Sequence, residues 1–398
     1  MNRPVLGLMS GTSADGVDAV LAVFRGAPSR PRWQLLHRAE LPYPRALRSA
    51  LIELGQGAAM RAERILELAD ALTRVQAEAA RRCDPGGQAV LVGCHGQTIW
   101  HRPPLGERGG LSWQLLQAPL LAHLLERPVV HDFRAADLAL GGQGAPLVPA
   151  TDLALLGRIG GWRALLNLGG IANLTVLPPR SGPERRAALT GWDCGPGNTL
   201  LDLAVNRFSD GRLSCDENGA WAARGTPCEP LIRRWLQEPY FASEPPKSTG
   251  RELFGSADLE RRLRDLREAA DAGVDQGRWE ADALATLTAF TAAAVAADLE
   301  RGTRPVELVV AGGGGRNATL MTQLRRRCLG MRLRTSSELG LDPQAREALA
   351  MALLAWWHQR RHPGSVISVT GASRPSVLGT RVEPPGAGCR GAVQGRGR

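Results

Sequence analysis

A glycine-turned hairpin that occurs twice constrains the fold of this chain more than any other feature. Val5-Leu6-Gly7-Leu8-Met9 has the character of a buried strand, Ser10 to Gly16 is a polar turn with two glycines, and Val17 to Phe24 reads as a second strand. The pattern returns in the second half as Ala164 to Leu168, the pair Gly169-Gly170, and Ile171 to Leu177. One such hairpin opening each half implies a duplicated α/β architecture, although the two stretches are too unlike to form a sequence repeat. The 398 residues suffice for two such halves. A core of that size needs neither disulfides nor a structural metal. With 43% apolar and 22% charged residues, the chain is neither largely disordered nor a small secreted scaffold.

Between the hairpins, helical and strand signals alternate. Ile65, Leu68, Ala69, Leu72, Val75 and Ala79 fall at helical spacing within 61–82, and Pro85-Gly86-Gly87 stops that helix. Strands are expected at Ala89 to Cys94, at Leu111 to Leu116 and at Pro128 to Val130, with a helix from Pro119 to Glu126. The glycine-rich segment Leu140 to Pro149 suits a linker or active-site loop between domains. Residues 280–301 read as an alanine-rich helix, Leu308 to Ala311 as a strand feeding Gly312 to Gly315, and Asn317 as the start of another helix. A last helix is expected over Asp342 to His358, where Trp356-Trp357 belong in the core. The Pro/Gly/Arg-rich end, 384–398, is expected to be disordered.

The formal net charge is +10, but the basic residues are arginines interleaved with acids, as in Arg61-Ala62-Glu63-Arg64, and Lys247 is the only lysine. No basic run alternates with stacking aromatics, so nucleic acid is a minor hypothesis. A Walker A loop and a protein-kinase site both require a lysine in a context that Lys247 lacks. The G-x-G-x-x-G at Gly386 to Gly391 follows no strand and is set aside. Seven cysteines contain no C-x-x-C pair, which fits reduced thiols in a cytoplasm. The uncharged run Ala283 to Ala297 is bracketed by Asp282 and Asp298 and is shorter than a membrane span, and Val5 to Met9 is too short for a signal peptide.

Three glycine turns follow strands: Ser10 to Gly16, Leu168 to Asn173 and Gly312 to Asn317. Any one alone is ordinary turn geometry. Three together suit a phosphate cradle, because glycine lets backbone N–H groups approach an anion closely. An aspartate in such a loop can join a magnesium shell. Asp193, in Trp192-Asp193-Cys194-Gly195-Pro196-Gly197-Asn198, is read equally well as a turn former or as a general base at a strand end. His95 has no nucleophile or metal partner in view, and a hydrogen-bonding role is expected for it.

Taken in order, these residues carry a close resemblance. Gly7 to Asp18, His95-Gly96-Gln97-Thr98 with His101-Arg102-Pro103, Asp132-Phe133-Arg134 and Gly141 to Pro149 resemble signatures of the anhydro-N-acetylmuramic acid kinases. So do Asn167 to Asn173, Asp193 to Asn198 and Pro246-Lys247-Ser248-Thr249-Gly250-Arg251-Glu252. The resemblance implies a two-domain actin/hexokinase-like (ribonuclease H-like) α/β fold with an interdomain cleft. The expected division is 1–135 for the first domain, 136–383 for the second and 384–398 for the tail. It also implies a double reaction, in which water opens the 1,6-anhydro ring of anhydro-N-acetylmuramic acid while ATP phosphorylates O6. The products are N-acetylmuramate 6-phosphate and ADP, in peptidoglycan recycling.

Carried over by position, the resemblance makes Asp193 the catalytic base. It assigns Gly11, Thr12, Ser13, Ala14, Asp15, Gly16, Val17 and Asp18 to the ATP phosphates. The rest of the nucleotide falls to Gly169, Gly170, Gly313, Gly314 and Asn317, with Arg316 near adenine or ribose. ATP and Mg²⁺ are the expected cofactors, with Asp15 expected in the metal shell, and Glu347 is a candidate for a second carboxylate near the sugar. A small amino sugar is the expected partner, with neither nucleic acid nor membrane, and a homodimer is compatible with it. Cys194 stands where the family commonly has Thr, Trp192 where it often has Phe, Gln117-Ala118-Pro119 replaces Gly-Asp-Pro, and the Gly312 turn has a fourth glycine. The alternatives are an ordinary sugar or acid kinase of the same fold, a non-catalytic ATP-binding module, and a nucleic-acid binder.

Overall fold

The computed structural model describes residues 3–11, 13–245, 247–250, 253–270 and 275–386. The chain divides into two compact units, Met1–Leu156 joined by Gln344–Arg398, and Gly157–Pro343. Among the described residues, twelve strands run in chain order. They are β1 (Val5–Ser10), β2 (Gly16–Arg25), β3 (Arg32–Pro42), β4 (Leu91–Arg102), β5 (Leu111–Leu115), β6 (Val129–His131), β7 (Arg163–Leu168), β8 (Ile171–Leu177), β9 (Thr190–Pro196), β10 (Glu307–Ala311), β11 (Arg332–Thr335) and β12 (Thr380–Val382).

The first unit holds a sheet ordered β12-β6-β4-β1-β2-β3, with β5 added to β4, and the second a sheet ordered β11-β10-β7-β8-β9. In the first, β3 and β2 pair antiparallel, β2 and β1 antiparallel, and β1, β4 and β6 parallel. The second repeats this, with β9, β8 and β7 antiparallel and β7, β10 and β11 parallel. The shared order is the duplication that the two hairpins foretold, although their sequences differ.

The last helix decides where the units divide. Arg346–Gln359 lies across the first sheet, where a Cβ on Gly7 or Gly93 would overlap the backbone carbonyl oxygens of Ala348 and Met351. Those two glycines let helix and strands meet at backbone distance. The helix is also tied to Val148–Leu156 by a buried pair, Arg346 Nε donating to Asp152 Oδ1 at 3.0 Å. Both segments therefore belong to the first unit. The expected single boundary at 135/136 is replaced by two, after Leu156 and after Pro343, because the chain returns to the first sheet. For the same reason Leu140 to Pro149 lies within the first unit and not between domains. The expected tail, 384–398, falls outside the described residues from 387 onward.

The helix Gln276–Glu300 is long and apolar enough to cross a membrane by length and composition, and 89% of its most apolar stretch is buried. Leu284, Leu287, Phe290 and Ala294 pack with Trp235, Phe241 and Phe254 in the core of the second unit. Trp356 and Trp357, 3% and 2% exposed, lie in the core of the first. The six described cysteines are free thiols.

Candidate active site

In the second unit the chemistry gathers around Asp193. Ala172 pairs with Gly195 and Asn173 with Asp193, so Cys194 is the extra residue of a β-bulge, a device that re-aims neighbouring side chains. The Asp193 carboxylate accepts three hydrogen bonds. Asn173 Nδ2 donates to Oδ1 at 2.9 Å, and Ser248 Oγ and the Thr249 N–H donate to Oδ2 at 3.0 Å each. A carboxylate offers about four acceptor positions, so one position, on Oδ1, remains for a ligand proton. The backbone is clasped as well. Asp193 N–H donates to the Lys247 carbonyl at 3.0 Å, and Tyr240 O–H donates to the Asp193 carbonyl at 2.7 Å. Burial, then the nearby carboxylate of Asp193, pushes the Tyr240 phenol up, so it remains a donor.

Lys247 lies in this network. Its Nζ donates to Asp298 Oδ1 at 2.9 Å, and the two side chains are 6% and 2% exposed. Trp192 Nε1 donates to Asp298 Oδ2 at 3.0 Å. Cys194 is buried in the unit's core, where burial and then Asp298 raise its thiol well above the usual range and keep it protonated. The departure at Cys194 is thus a core substitution beside the carboxylate.

The second hairpin and the Gly312 turn are brought together next to this strand end. Gly197 N–H donates to the Gly170 carbonyl and Asn198 N–H to the Gly169 carbonyl, each at 2.9 Å. Gly312 has φ +82°, and a Cβ there would stand 2.7 Å from the Leu168 carbonyl oxygen, so only glycine seats this turn against the hairpin. Gly314 packs as tightly, with Leu168 Cβ 2.6 Å from its Cβ position, whereas a Cβ on Gly169 or Gly313 would make only ordinary contacts, at 3.7 Å or beyond, and Gly313 is exposed. Asn317 is buried, and its Oδ1 accepts the Leu320 N–H at 2.9 Å as the N-cap of the helix Ala318–Arg327. That atom is therefore engaged in capping, while Arg316 is exposed.

The first unit carries the other glycine loop. The Gly11 carbonyl accepts from Gln97 Nε2 at 2.9 Å and from the Ala14 N–H at 3.1 Å. The positive φ of this loop falls on Ala14, at 50°, and not on either glycine. Gly16 is required for another reason: a Cβ there would overlap the Leu41 carbonyl on β3. Thr12 lies outside the described residues, Ser13 is exposed, and Val17 points into the core. Asp18 pairs in register with Met9 and Glu40. Asp15 is exposed, and its Oδ1 accepts from Arg48 at 2.5 Å. Among the described residues no cluster of three or more potential ligands exists. Asp15 Oδ2 has no described partner, which fits the single carboxylate contact that Mg²⁺ commonly makes when water and phosphate fill the rest of its shell.

Nearby, His95 is buried and carries no catalytic geometry. Its Nδ1 lies 3.0 Å from the Gly96 carbonyl, and its Nε2 accepts from Arg134 at 3.0 Å. Burial first, and then the Arg134 charge, push His95 down to about 4. Arg134 also donates to the Gly144 carbonyl at 2.7 Å, and the exposed Glu347 acts on it electrostatically. Sequence reasoning named Asn173, Ser248 and Thr249 only as members of the segments Asn167 to Asn173 and Pro246 to Glu252, with no role of their own. Asp298 left a trace as the acid that ends a long apolar run, and Tyr240 left none.

Two α/β units with one strand order, each opened by a glycine hairpin, define an actin/hexokinase-like protein. The family model described as anhydro-N-acetylmuramic acid kinase matches residues 3–384, and the chain belongs to that family. It is 63% identical to the anhydro-N-acetylmuramic acid kinase of Synechococcus sp. (strain CC9902) over 384 residues, covering 95% of this chain and 99% of that one. It is 62% identical to the protein of the same name from Synechococcus sp. (strain WH7803), covering 96% and 99%. A solved structure to which it is similar is the activator of the 2-hydroxyisocaproyl-CoA dehydratase from Clostridium difficile. That match has 14% identity and a TM-score of 0.40 over 90% of this chain and 96% of that one.

Proposed function

We propose that this chain is a kinase that opens the anhydro ring of anhydro-N-acetylmuramic acid and phosphorylates the released O6 from ATP, in recycling of cell-wall sugars in the cytoplasm. The observation that carries the reading is the 63% identity over nearly the full chain, together with a carboxylate held by three donors and keeping one acceptor position.

In this reading Asp193 Oδ1 takes a proton from water as the water oxygen bonds to C1 of the sugar. The C1–O6 bond breaks, and O6 takes the γ-phosphoryl group, leaving ADP. The bridged sugar has no free O6 hydroxyl, so phosphoryl transfer depends on ring opening. The fixed donors on Oδ2 orient the base before the reaction, which is the arrangement general-base catalysis requires. In the first unit the loop Gly11 to Asp18 is assigned to the phosphates, and in the second the glycine turns at Gly169 and Gly313 to the nucleotide. Mg²⁺, when bound, supplies charge neutralisation on the phosphates, and Asp15 Oδ2 is the oxygen that would hold it or its waters.

The test is ADP release by the purified protein with ATP and Mg²⁺, with and without anhydro-N-acetylmuramic acid. Release that requires the anhydro sugar supports the reading. Equal or greater turnover with open N-acetylmuramic acid assigns an ordinary sugar kinase instead.

A further inference from the structure

The one lysine of the chain is placed neither on a phosphate loop nor in solvent. Its side chain is 6% exposed, in a unit whose other cations are arginines, and is paired with an aspartate side chain that is 2% exposed. Withdrawing an ammonium and a carboxylate from water is costly, and such a pair is weak grounds for stability alone. Its position gives it another consequence. The carbonyl of Lys247 accepts the Asp193 N–H, and the next two residues supply both donors on Asp193 Oδ2. The side chain of Lys247 is therefore the anchor of the three-residue segment that holds the carboxylate. Asp298, on the buried helix Gln276–Glu300, is the fixed point to which that anchor is tied, and it also receives the indole N–H of Trp192, the residue before Asp193. Both flanks of the carboxylate converge on one buried acid.

We propose that Lys247 and Asp298 are positioning residues for Asp193, locking the 247–249 segment so that the free acceptor position of the carboxylate keeps one direction. The proposal rests on the reading of Asp193 as the base. Lysine suits the task because a compact ammonium donates at once to Asp298 and, at 3.4 Å, to the Tyr240 carbonyl, while standing 5.0 Å from the Tyr240 ring centroid. The same tyrosine donates to the Asp193 carbonyl, so the ammonium braces both supports of the carboxylate strand.

The test compares Lys247→Met, Lys247→Arg and the wild type. A displacement of about 1 Å in a reacting group costs on the order of 100-fold. Lys247→Met is expected to lower kcat per folded enzyme by about 10- to 100-fold, with KM for ATP and for the sugar within about threefold of wild type. Lys247→Arg is expected to recover part of that loss. A residue serving only stability would instead lower the folded fraction, measured by nucleotide-binding stoichiometry, and leave kcat per binding site unchanged.

Because the chain has one lysine, the wild type supplies a second measurement that needs no variant. Acetylation with an amine reagent, followed by mass spectrometry, is expected to leave Lys247 unmodified in the folded enzyme. As modification is forced, activity is expected to fall in one-to-one proportion with Lys247 occupancy. Rapid modification with full activity, or a Lys247→Met enzyme with wild-type kcat per site, overturns the proposal. If Asp193→Asn is inactive at the same time, the proposal alone falls. If Asp193→Asn is active, the reading beneath it falls as well.

Discussion

Replacing Asp193 by asparagine separates chemistry from folding, and the structure sets the size of each effect. The carboxylate accepts from Ser248 Oγ, the Thr249 N–H and Asn173 Nδ2. The introduced amide can keep its oxygen toward Ser248 and Thr249, because the backbone N–H of Thr249 can only donate. Its nitrogen then faces Asn173, whose own amide turns over to present an oxygen. All three hydrogen bonds survive, now neutral where they were charge-assisted, a difference of about 1 kcal/mol apiece that is partly offset because no charge is left half-buried. A net loss of about 2 kcal/mol or less leaves a protein of ordinary stability almost entirely folded. The base, by contrast, is gone, and general-base catalysis contributes about 10²–10⁴ in rate, or roughly 3–5 kcal/mol of barrier. Coupled assay of ADP release should therefore show a fall of at least about 100-fold, while nucleotide titration and thermal melting stay near wild type. Turnover within tenfold of wild type in a correctly folded variant would refute the assignment.

Two further outcomes follow from the first unit. Gly93→Val should prevent the helix Arg346–Gln359 from seating on β4, because a Cβ there overlaps the Met351 carbonyl. We expect a loss of more than about 3 kcal/mol in denaturant unfolding, or no soluble protein, and wild-type stability would contradict the packing. His95 is neutral when folded, pushed down to about 4 from an ordinary 6.5, so between those values the unfolded chain binds the extra proton. The stability from this group is complete above pH 6.5 and is lost as pH falls toward 4, on the order of 3 kcal/mol in all. In His95→Gln that part of the pH dependence should vanish, and an unchanged slope in urea titrations from pH 7 to 4 would show that His95 titrates normally.

The hairpins and their glycines were legible because alternation and turn chemistry are local. β8 runs Ile171–Leu177 as its sequence implies, and β1 and β2 extend one residue or so beyond theirs. The return of the last helix to the first sheet was not legible. It depends on Gly7 and Gly93 matching Ala348 and Met351 across some 250 residues or more of chain, and no periodicity encodes that match. β3 was missed because its exposed side alternates irregularly, with two arginines and a glutamate on an edge strand. At the site, Asp193 stood out by its glycine-rich motif, whereas the groups that hold it come from residues 173, 240, 248, 249 and 298. Lys247 could be excluded from a Walker loop by sequence but not placed, since its partner is an aspartate 51 residues away. The positive φ at Ala14, in a loop flanked by Gly11 and Gly16, shows a tight loop overriding local preference.

In the proposed reaction, ring opening and phosphoryl transfer occur together. The direct measurement is turnover of anhydro-N-acetylmuramic acid with ATP in ¹⁸O-labelled water, quenched before mutarotation and analysed by mass spectrometry and NMR. The coupled reaction should place label on C1 of the sugar 6-phosphate, leave the bridging O6 unlabelled and bearing the phosphoryl group, and release one ADP per product. Label in inorganic phosphate, or ring opening that proceeds without ATP, would contradict it.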